Sequence, residues 1–248
     1  MYDFNQALPT SRFPTEQNGT ADICAVAINE EAFIFEWVYY HFALWFSHFY
    51  LYGKSPEFEM EQWASEKGRR VTKKHYPGSF VQFSAYNDCS HEYAVKNRHT
   101  WVAIFDPDEM LYLKDHNHFV DLLSERCQSG HLSFMWIRFG HQPLPMTERF
   151  QFRENVTKHR VKAIARVQDV DLAKKIINPH FVNLKRGTHQ DVNGNEIVYP
   201  IWSNPSLPTN TAALHHYNTK SYEELIAKRH RGRADTDRFD FLEESVWL

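Results

Sequence analysis

The sequence predicts an α/β fold, a single domain with a mostly parallel central sheet flanked by helices, and three observations predict it. First, an apolar run at 23–28 is followed by a helical stretch to about Phe46 and a second apolar run at 48–52. Strand, helix, strand in that order is a βαβ unit, and such units build parallel sheets. Second, the five-residue apolar strand Trp101–Phe105 ends abruptly in Asp106-Pro107-Asp108-Glu109, an acidic strand end of the kind that faces ligands in open α/β sheets. Third, the 248 residues carry no internal repeat, low-complexity tract or Pro/Ser linker, which favours one domain over two.

The elements follow in order. Ile23–Ile28 is a buried strand, stopped by Asn29-Glu30-Glu31. Asn29 can cap a helix whose first turn then holds two acids where the helix dipole favours them. That helix is apolar almost all round, predicting deep packing. A strand over 48–52 ends at Gly53, a charged helix spans about 58–67, and a short strand lies near Val71. Tyr76-Pro77-Gly78 breaks the chain before a helix over 79–96. Beyond the acidic strand end come a helix at 118–127, strands at 132–139 and 161–166, and a tight turn at Asn193-Gly194 that predicts a hairpin. A strand at 212–216 and a helix at 222–229 close the domain.

Composition narrows the function. The net charge of −3 favours neither nucleic acid nor an anionic membrane as a partner. The most apolar stretch, 32–46, is interrupted by Glu36 and His41 and is shorter than the ~20 residues of a membrane span. The N-terminal segment has no basic region leading into an apolar core, so no signal peptide is expected. Cys24, Cys89 and Cys127 form no CxxC pair. No thiolate metal site or disulfide is expected, and a reducing, cytoplasmic location follows. Nothing in the sequence sets an oligomeric state.

In a strand, residues two apart share a face, so Asp106 and Asp108 are expected to look into one pocket, with Pro107 stiffening the link. Two carboxylates there suit Mn²⁺ or Mg²⁺ and, through the cation, a diphosphate. Two other D-x-D triplets, Asp169/Asp171 and Asp235/Asp237, lie in polar segments; only the first closes an apolar strand. Near the other end, Leu214-His215-His216 ends a strand and Ser221 with Glu224 makes a capping box. A histidine there can complete a carboxylate metal site. Lys220, Lys228, Arg229, Arg231 and Arg233 can screen a departing diphosphate or form a solvated basic helix. For the general base, Glu148 is chosen over His141 and Asp191, because it follows the Pro143/Pro145 loop and precedes a core-entering Phe150.

Seven segments in order resemble the family 92 glycosyltransferases and their bacterial and viral relatives: CAVAINEEAFIFEWVYYH at 24–41, HFYLY at 48–52, YPGSFVQFSAYNDC at 76–89, WVAIFDPDEML at 101–111, WIRFG at 136–140, ERF at 148–150 and HYNTKSYEELIAKRHRG at 216–232. The resemblance implies a GT-A fold over 23–232, with a donor half at about 23–110 and an acceptor half at about 111–232. Residues 1–22 form an N-terminal arm and 233–248 a tail. It implies a metal-dependent, inverting transfer of a sugar from a nucleotide-diphosphate-sugar to a hydroxyl of a glycan or glycoconjugate. Asp106, Asp108 and His216 then hold the metal. Ala27, Asn29 and Glu30 line the nucleotide base, Gln82 and Asp88 border the donor, and Lys220 and Arg231 lie near the diphosphate. Trp136 and His141 face the acceptor. From the residues alone, Asn29, Gln82 and Asp88 can equally cap or solvate helices, and Trp136 can fill core.

One departure concerns the base pocket. Relatives carry an acidic residue after the second strand, where this chain reads Tyr52-Gly53-Lys54. Two other functions compete with glycosyl transfer. A metal-dependent phosphohydrolase or nuclease needs a second acidic cluster, and none is evident. A non-catalytic sugar-binding protein would keep the fold without the base.

Overall fold

The structure, a computed structural model, describes residues 21–27, 31–53, 70–76, 81–96, 101–127, 130–139, 160–197 and 207–217. Nine strands are assigned within them: β1 (Ala21–Val26), β2 (His48–Gly53), β3 (Arg70–His75), β4 (Trp101–Ile104), β5 (Glu109–Leu113), β6 (Gly130–Arg138), β7 (Val161–Arg166), β8 (Thr188–Gln190) and β9 (Ala212–His216). The helices are α1 (Glu31–Ala43), α2 (Gln82–Lys96) and α3 (Phe119–Arg126). The strands form one sheet in the order β3-β2-β1-β4-β7-β6-β9-β5, with β8 pairing β6. β3, β2, β1 and β4 are mutually parallel, and β6 is parallel to both β8 and β9. Antiparallel pairs join β4 to β7, β7 to β6 and β9 to β5. The mostly parallel α/β fold expected from the sequence is therefore the fold found.

These directions decide where chemistry can gather. Counting from β1, the strands β2, β3, β4, β6 and β9 all point the same way, while β7 and β5 point back. The carboxyl ends of six strands and the amino ends of β5 and β7 thus share one edge of the sheet.

Burial follows the period of two. In β1 every residue is buried, as expected for a strand covered on both faces. Ile23 and Ala25 pack with Trp37, Phe42 and Phe46 from α1 and its C-terminal turn, and with Phe119 of α3. Cys24 and Val26 pack on the other face with Ala85, Tyr86 and Cys89 of α2. Helix α1 is more one-sided than its composition suggests. Ile34, Trp37, Val38, His41 and Phe42 are buried while Phe35 is exposed, because helical spacing sends only that stripe to the sheet.

Cys24 and Cys89, 65 residues apart with Cα atoms separated by 6.5 Å, are joined as a disulfide. This corrects the expectation that no cysteines pair, and it removes the basis for expecting a reducing compartment. Sequence spacing could not show it, because the pairing depends on α2 packing over the face to which Cys24 points. Strand β5, which begins inside the acidic segment, was not expected; β8, three polar residues, leads into the turn expected at Asn193-Gly194. The turn at Asn193-Gly194 is present. Gly194 takes a φ of 84°, and a single antiparallel bridge, Gln190 to Glu196, flanks it. The expected helices at 58–67 and 222–229 lie outside the described residues.

His41 makes α1 sensitive to acid. Its Nδ1 lies 2.9 Å from the Trp37 carbonyl, which it can only donate to, and its Nε2 accepts from the Leu111 amide at 3.4 Å. Burial pushes its pKa from 6.5 down to about 3. The neutral ring stabilises the fold fully above the unfolded value, and that stabilisation is lost as pH falls from 6.5 toward 3. The loss runs at ~1.4 kcal/mol per unit. Between pH 7 and 5, urea titrations are expected to show about 2 kcal/mol of acid destabilisation from this ring, absent from His41→Gln. An equal drop in that variant would assign the sensitivity elsewhere.

No helix among the described residues is long and apolar enough to cross a membrane.

Candidate functional site

The acidic segment lies at the shared strand edge. Strand β4 ends at Ile104, and Asp106-Pro107-Asp108 turns the chain into β5. The turn holds itself together: the Glu109 amide donates to the Asp106 carbonyl at 3.0 Å, and the Asp106 amide donates to Glu109 Oε2 at 2.8 Å. Helix α1 pins the start of β5, with Trp37 Nε1 donating to the Glu109 carbonyl at 2.7 Å and the Tyr40 hydroxyl to the Leu111 carbonyl at 2.7 Å.

Because this segment is a turn rather than a strand, strand alternation does not govern it, and the two aspartates take different partners. Asp106 Oδ2 accepts from Lys162 Nζ at 2.9 Å, and Oδ1 accepts from the Tyr86 hydroxyl at 2.9 Å and from Gln82 Nε2 at 3.5 Å. Asp108 instead faces β9: its Oδ1 is 3.5 Å from His216 Nε2, with both side chains under a tenth exposed. The Asp108 carbonyl accepts from the Tyr217 amide at 2.8 Å, which fixes that approach. In the β5–β9 ladder Glu109 stands opposite His216. The Trp136 ring, on β6, lies 4.0 Å from that of His216.

Lys162 was not singled out from the sequence. It is fully buried at the start of β7, 3.7 Å from Glu109 Oε2 as well as bonded to Asp106. The signal that could have found it is a lone lysine in Val161-Lys162-Ala163-Ile164-Ala165, whose other members are all buried. A charge in such a strand needs a partner. Burial works against its ammonium, yet Asp106 and Glu109 hold its pKa above the ordinary value. Burial likewise works against the Asp106 charge, and Lys162 with the Tyr86 hydroxyl keeps its pKa below the ordinary value. For Glu109 burial wins: its pKa is raised well above the usual range, helped by the neighbouring aspartates. Its Oε1 is buried without a hydrogen-bond partner.

His180 was also missed. Its Nδ1 donates to the Val161 carbonyl at 2.9 Å, and its ring lies 5.4 Å from that of Trp136. Burial, aided by the Lys162 charge, lowers its pKa to about 3, so the ring is neutral.

The remaining candidates divide. Gln82 reaches the acidic turn and also donates to the Tyr86 hydroxyl at 3.2 Å. Asp88, on the same helix, does not; it pairs with Lys74 at 2.9 Å, which also binds Glu92. Ala27 sits where β1 and β2 converge, its amide bonded to the Tyr52 carbonyl at 2.8 Å. Gly53 is required beside it, since a Cβ there would come within 2.5 Å of the Ala27 carbonyl oxygen. Asp191, the rival base, is spent on its own turn, accepting from the amides of Asn193 and Asn195 and from Asn195 Nδ2. Asn29, Glu30, His141, Glu148, Lys220 and Arg231 lie outside the described residues.

For Mn²⁺ or Mg²⁺, Asp108 and His216 offer an oxygen and a nitrogen of suitable chemistry. Asp106 is bonded to Lys162 Nζ at 2.9 Å. Among the described residues no three His, Cys, Asp or Glu side chains are arranged to hold a metal. Such cations commonly take one or two carboxylates and complete their shell with water and substrate phosphates, so the pair fits the group as a partial site.

No family model matches the chain, and no curated protein matches it. Among solved structures, a glucose-1-phosphate thymidylyltransferase from Bacillus anthracis, in complex with sucrose, superposes with a TM-score of 0.40 at 9% identity. The match covers 60% of this chain and 72% of that one. A superposition that loose carries no argument about activity.

Proposed function

We propose that the protein is a glycosyltransferase that moves a sugar from a nucleotide-diphosphate-sugar to a hydroxyl of a glycan acceptor. One observation carries the reading. At the carboxyl edge of a mostly parallel sheet, where open α/β sheets bind their ligands, Asp108 and His216 face each other beside the Lys162–Asp106 pair and the Trp136 ring. In this reading Asp108 and His216 hold the divalent cation, which when bound neutralises the diphosphate and eases its departure. The carboxyl end of β1 at Ala27 receives the nucleotide base with Asn29 and Glu30, and Gln82 borders the donor. Trp136 offers a ring face to a sugar, with His141 on the acceptor side. Lys220 and Arg231 screen the leaving diphosphate, and Glu148 takes the proton of the acceptor hydroxyl. A Glu148→Gln variant should lose transfer while keeping donor affinity; the reverse pattern would move the base elsewhere.

Binding tests the reading before turnover does. With Mn²⁺, a nucleoside diphosphate at a hundred times its Kd should stabilise the fold by about 2.7 kcal/mol, and without Mn²⁺ much less. A stabilisation independent of the cation, or none with any nucleotide, would count against it.

The two adjacent histidines give a sharper contrast. His216 approaches Asp108, whereas the His215 ring stacks on Tyr112 at 4.9 Å and meets Phe139 at 4.9 Å. His216→Ala is therefore expected to weaken Mn²⁺-dependent nucleotide binding by at least ~10-fold, the scale on which even supporting residues of a metal site act. His215→Ala should change it by less than about threefold. Equal losses in calorimetric titrations would refute the assignment of His216.

A further inference from the structure

The chain from Asp171 to Asn183, between β7 and β8, is irregular yet held at three points. Its neck is closed by the Val170–Leu184 bridge and by the Asp171 amide, which donates to the Asn183 carbonyl at 2.8 Å. Its middle is tied to α2 in both directions. Asn87 Nδ2 donates to the Ile176 carbonyl at 2.9 Å, and the Ile176 amide donates to Asn87 Oδ1 at 2.8 Å. Its far side turns through Asn178-Pro179, where Asn178 Oδ1 accepts from the His180 amide at 2.9 Å and Pro179 fixes its own φ. The His180 ring then reaches the start of β7, donating from Nδ1 to the Val161 carbonyl at 2.9 Å. It stands 5.4 Å from the Trp136 ring, at 75° to it. That bond to Val161 decides the tautomer. A carbonyl only accepts, so Nδ1 carries the proton and Nε2 of the neutral ring keeps a lone pair. His180 is partly exposed, and among the described residues Nε2 has no hydrogen-bond partner. Burial and the Lys162 charge keep the ring unprotonated down to about pH 3. A base that weak does not hold a hydroxyl's proton, so what the ring offers is an aimed hydrogen-bond acceptor.

We propose that His180 is a specificity-determining residue of the acceptor subsite, its Nε2 accepting a hydrogen bond from one hydroxyl of a neutral sugar held against Trp136. This rests on the glycosyltransferase reading above, which gives Trp136 to the acceptor and leaves His180 without a role. The lone pair sets the ligand's chemistry. A hydroxyl has a proton to give, whereas a carboxylate or an O-methyl group in the same place has none and leaves the acceptor unmet. The loop's three attachments hold the ring in place before a sugar arrives, so little ordering is left for binding to supply.

The test titrates methyl glucosides, galactosides and mannosides, with their monodeoxy analogues, into the full-length protein, followed by ligand-observed NMR. Mg²⁺ is present throughout, with and without uridine, guanosine or thymidine diphosphate, and thermal melts confirm folding. Wild type should bind one parent glycoside and lose about 3- to 10-fold when one particular hydroxyl is removed, the share of a single neutral hydrogen bond. His180→Phe, which keeps a ring but no acceptor, should bind the parent about 3- to 10-fold more weakly. It should no longer distinguish the parent from that deoxy analogue, while nucleotide binding stays unchanged. This coupling between one hydroxyl and one side chain is what a merely structural role would not produce. His180→Gln, which restores an acceptor oxygen, should recover part of the discrimination, and His180→Ala replaces the phenylalanine variant if that does not fold. A folded variant that still discriminates against the deoxy analogue, or one that loses nucleotide and every glycoside alike, would overturn the assignment. So would a wild type that hydrolyses a nucleotide-sugar but binds none of the glycosides. Binding of neither nucleotide nor glycoside by wild type would instead bring down the glycosyltransferase reading itself.

Discussion

Replacing Lys162 by methionine is expected to destabilise the protein by about 3–5 kcal/mol, the usual cost of removing one partner from a buried ion pair. The side chain is fully buried, 2.9 Å from Asp106 Oδ2 and 3.7 Å from Glu109 Oε2. Methionine fills nearly the same volume, so packing loss is small and the effect is electrostatic. Without the ammonium, Asp106 keeps the Tyr86 and Gln82 donors, and Glu109 loses the Lys162 charge that opposes its burial. Asp106 would then have to take up a proton or draw water to the turn. The double variant Lys162→Met/Asp106→Asn should recover part of the loss, since it removes the orphaned charge as well. Urea titrations at pH 7, read by tryptophan fluorescence, check both values. A loss below about 1 kcal/mol for Lys162→Met is what an exposed pair would give, and it would contradict the burial described here.

Asp108→Asn is expected to lower nucleotide-sugar turnover by ~10²–10³-fold while leaving stability within about 1 kcal/mol, because the Lewis-acid share of such reactions is several kcal/mol. Asparagine keeps the shape of the side chain and one oxygen, and the backbone bond from the Tyr217 amide to the residue-108 carbonyl is untouched. What disappears is the negative charge facing His216. Single-turnover rates at saturating donor separate the chemical step from binding. A folded variant with full activity would show that Asp108 is only a turn residue.

Much of this arrangement is legible in the chain. The runs at 23–28, 101–105, 161–166 and 212–216 are short and mostly apolar, and each gives a strand with bounds within two residues of those expected. The acidic turn after β4 is legible in the same run, because the apolar stretch stops at Asp106. The partners were harder. Strand β5 starts at a glutamate with 0% exposure, and nothing in Glu109-Met110-Leu111 announces that it pairs with β9. Lys162 lies 56 residues from Asp106, and only the antiparallel return of β7 beside β4 brings them together. Cys24 and Cys89 are hidden for the same reason: a strand face and a helix face meet only once the sheet is covered. Asp88 shows the opposite failure. It lies on the helix that borders the acidic turn, but six residues past Gln82, on another face, it reaches Lys74 instead.

The divergence of Asp106 and Asp108 has a local cause. Pro107 fixes its own φ, and the hydrogen bonds between Asp106 and Glu109 close the turn in one register. Strand alternation would have aimed both carboxylates at one point; the closed turn aims one at β7 and α2 and the other at β9.

The most direct measurement is release of nucleoside diphosphate when the purified protein is incubated with Mn²⁺ and a panel of nucleotide-sugars. The expected result is slow hydrolysis of one donor, yielding nucleoside diphosphate and free sugar, dependent on Mn²⁺ and lost in folded Asp108→Asn. Release of nucleoside monophosphate with sugar phosphate would mark a phosphohydrolase instead, and no product from any donor would contradict glycosyl transfer at this site.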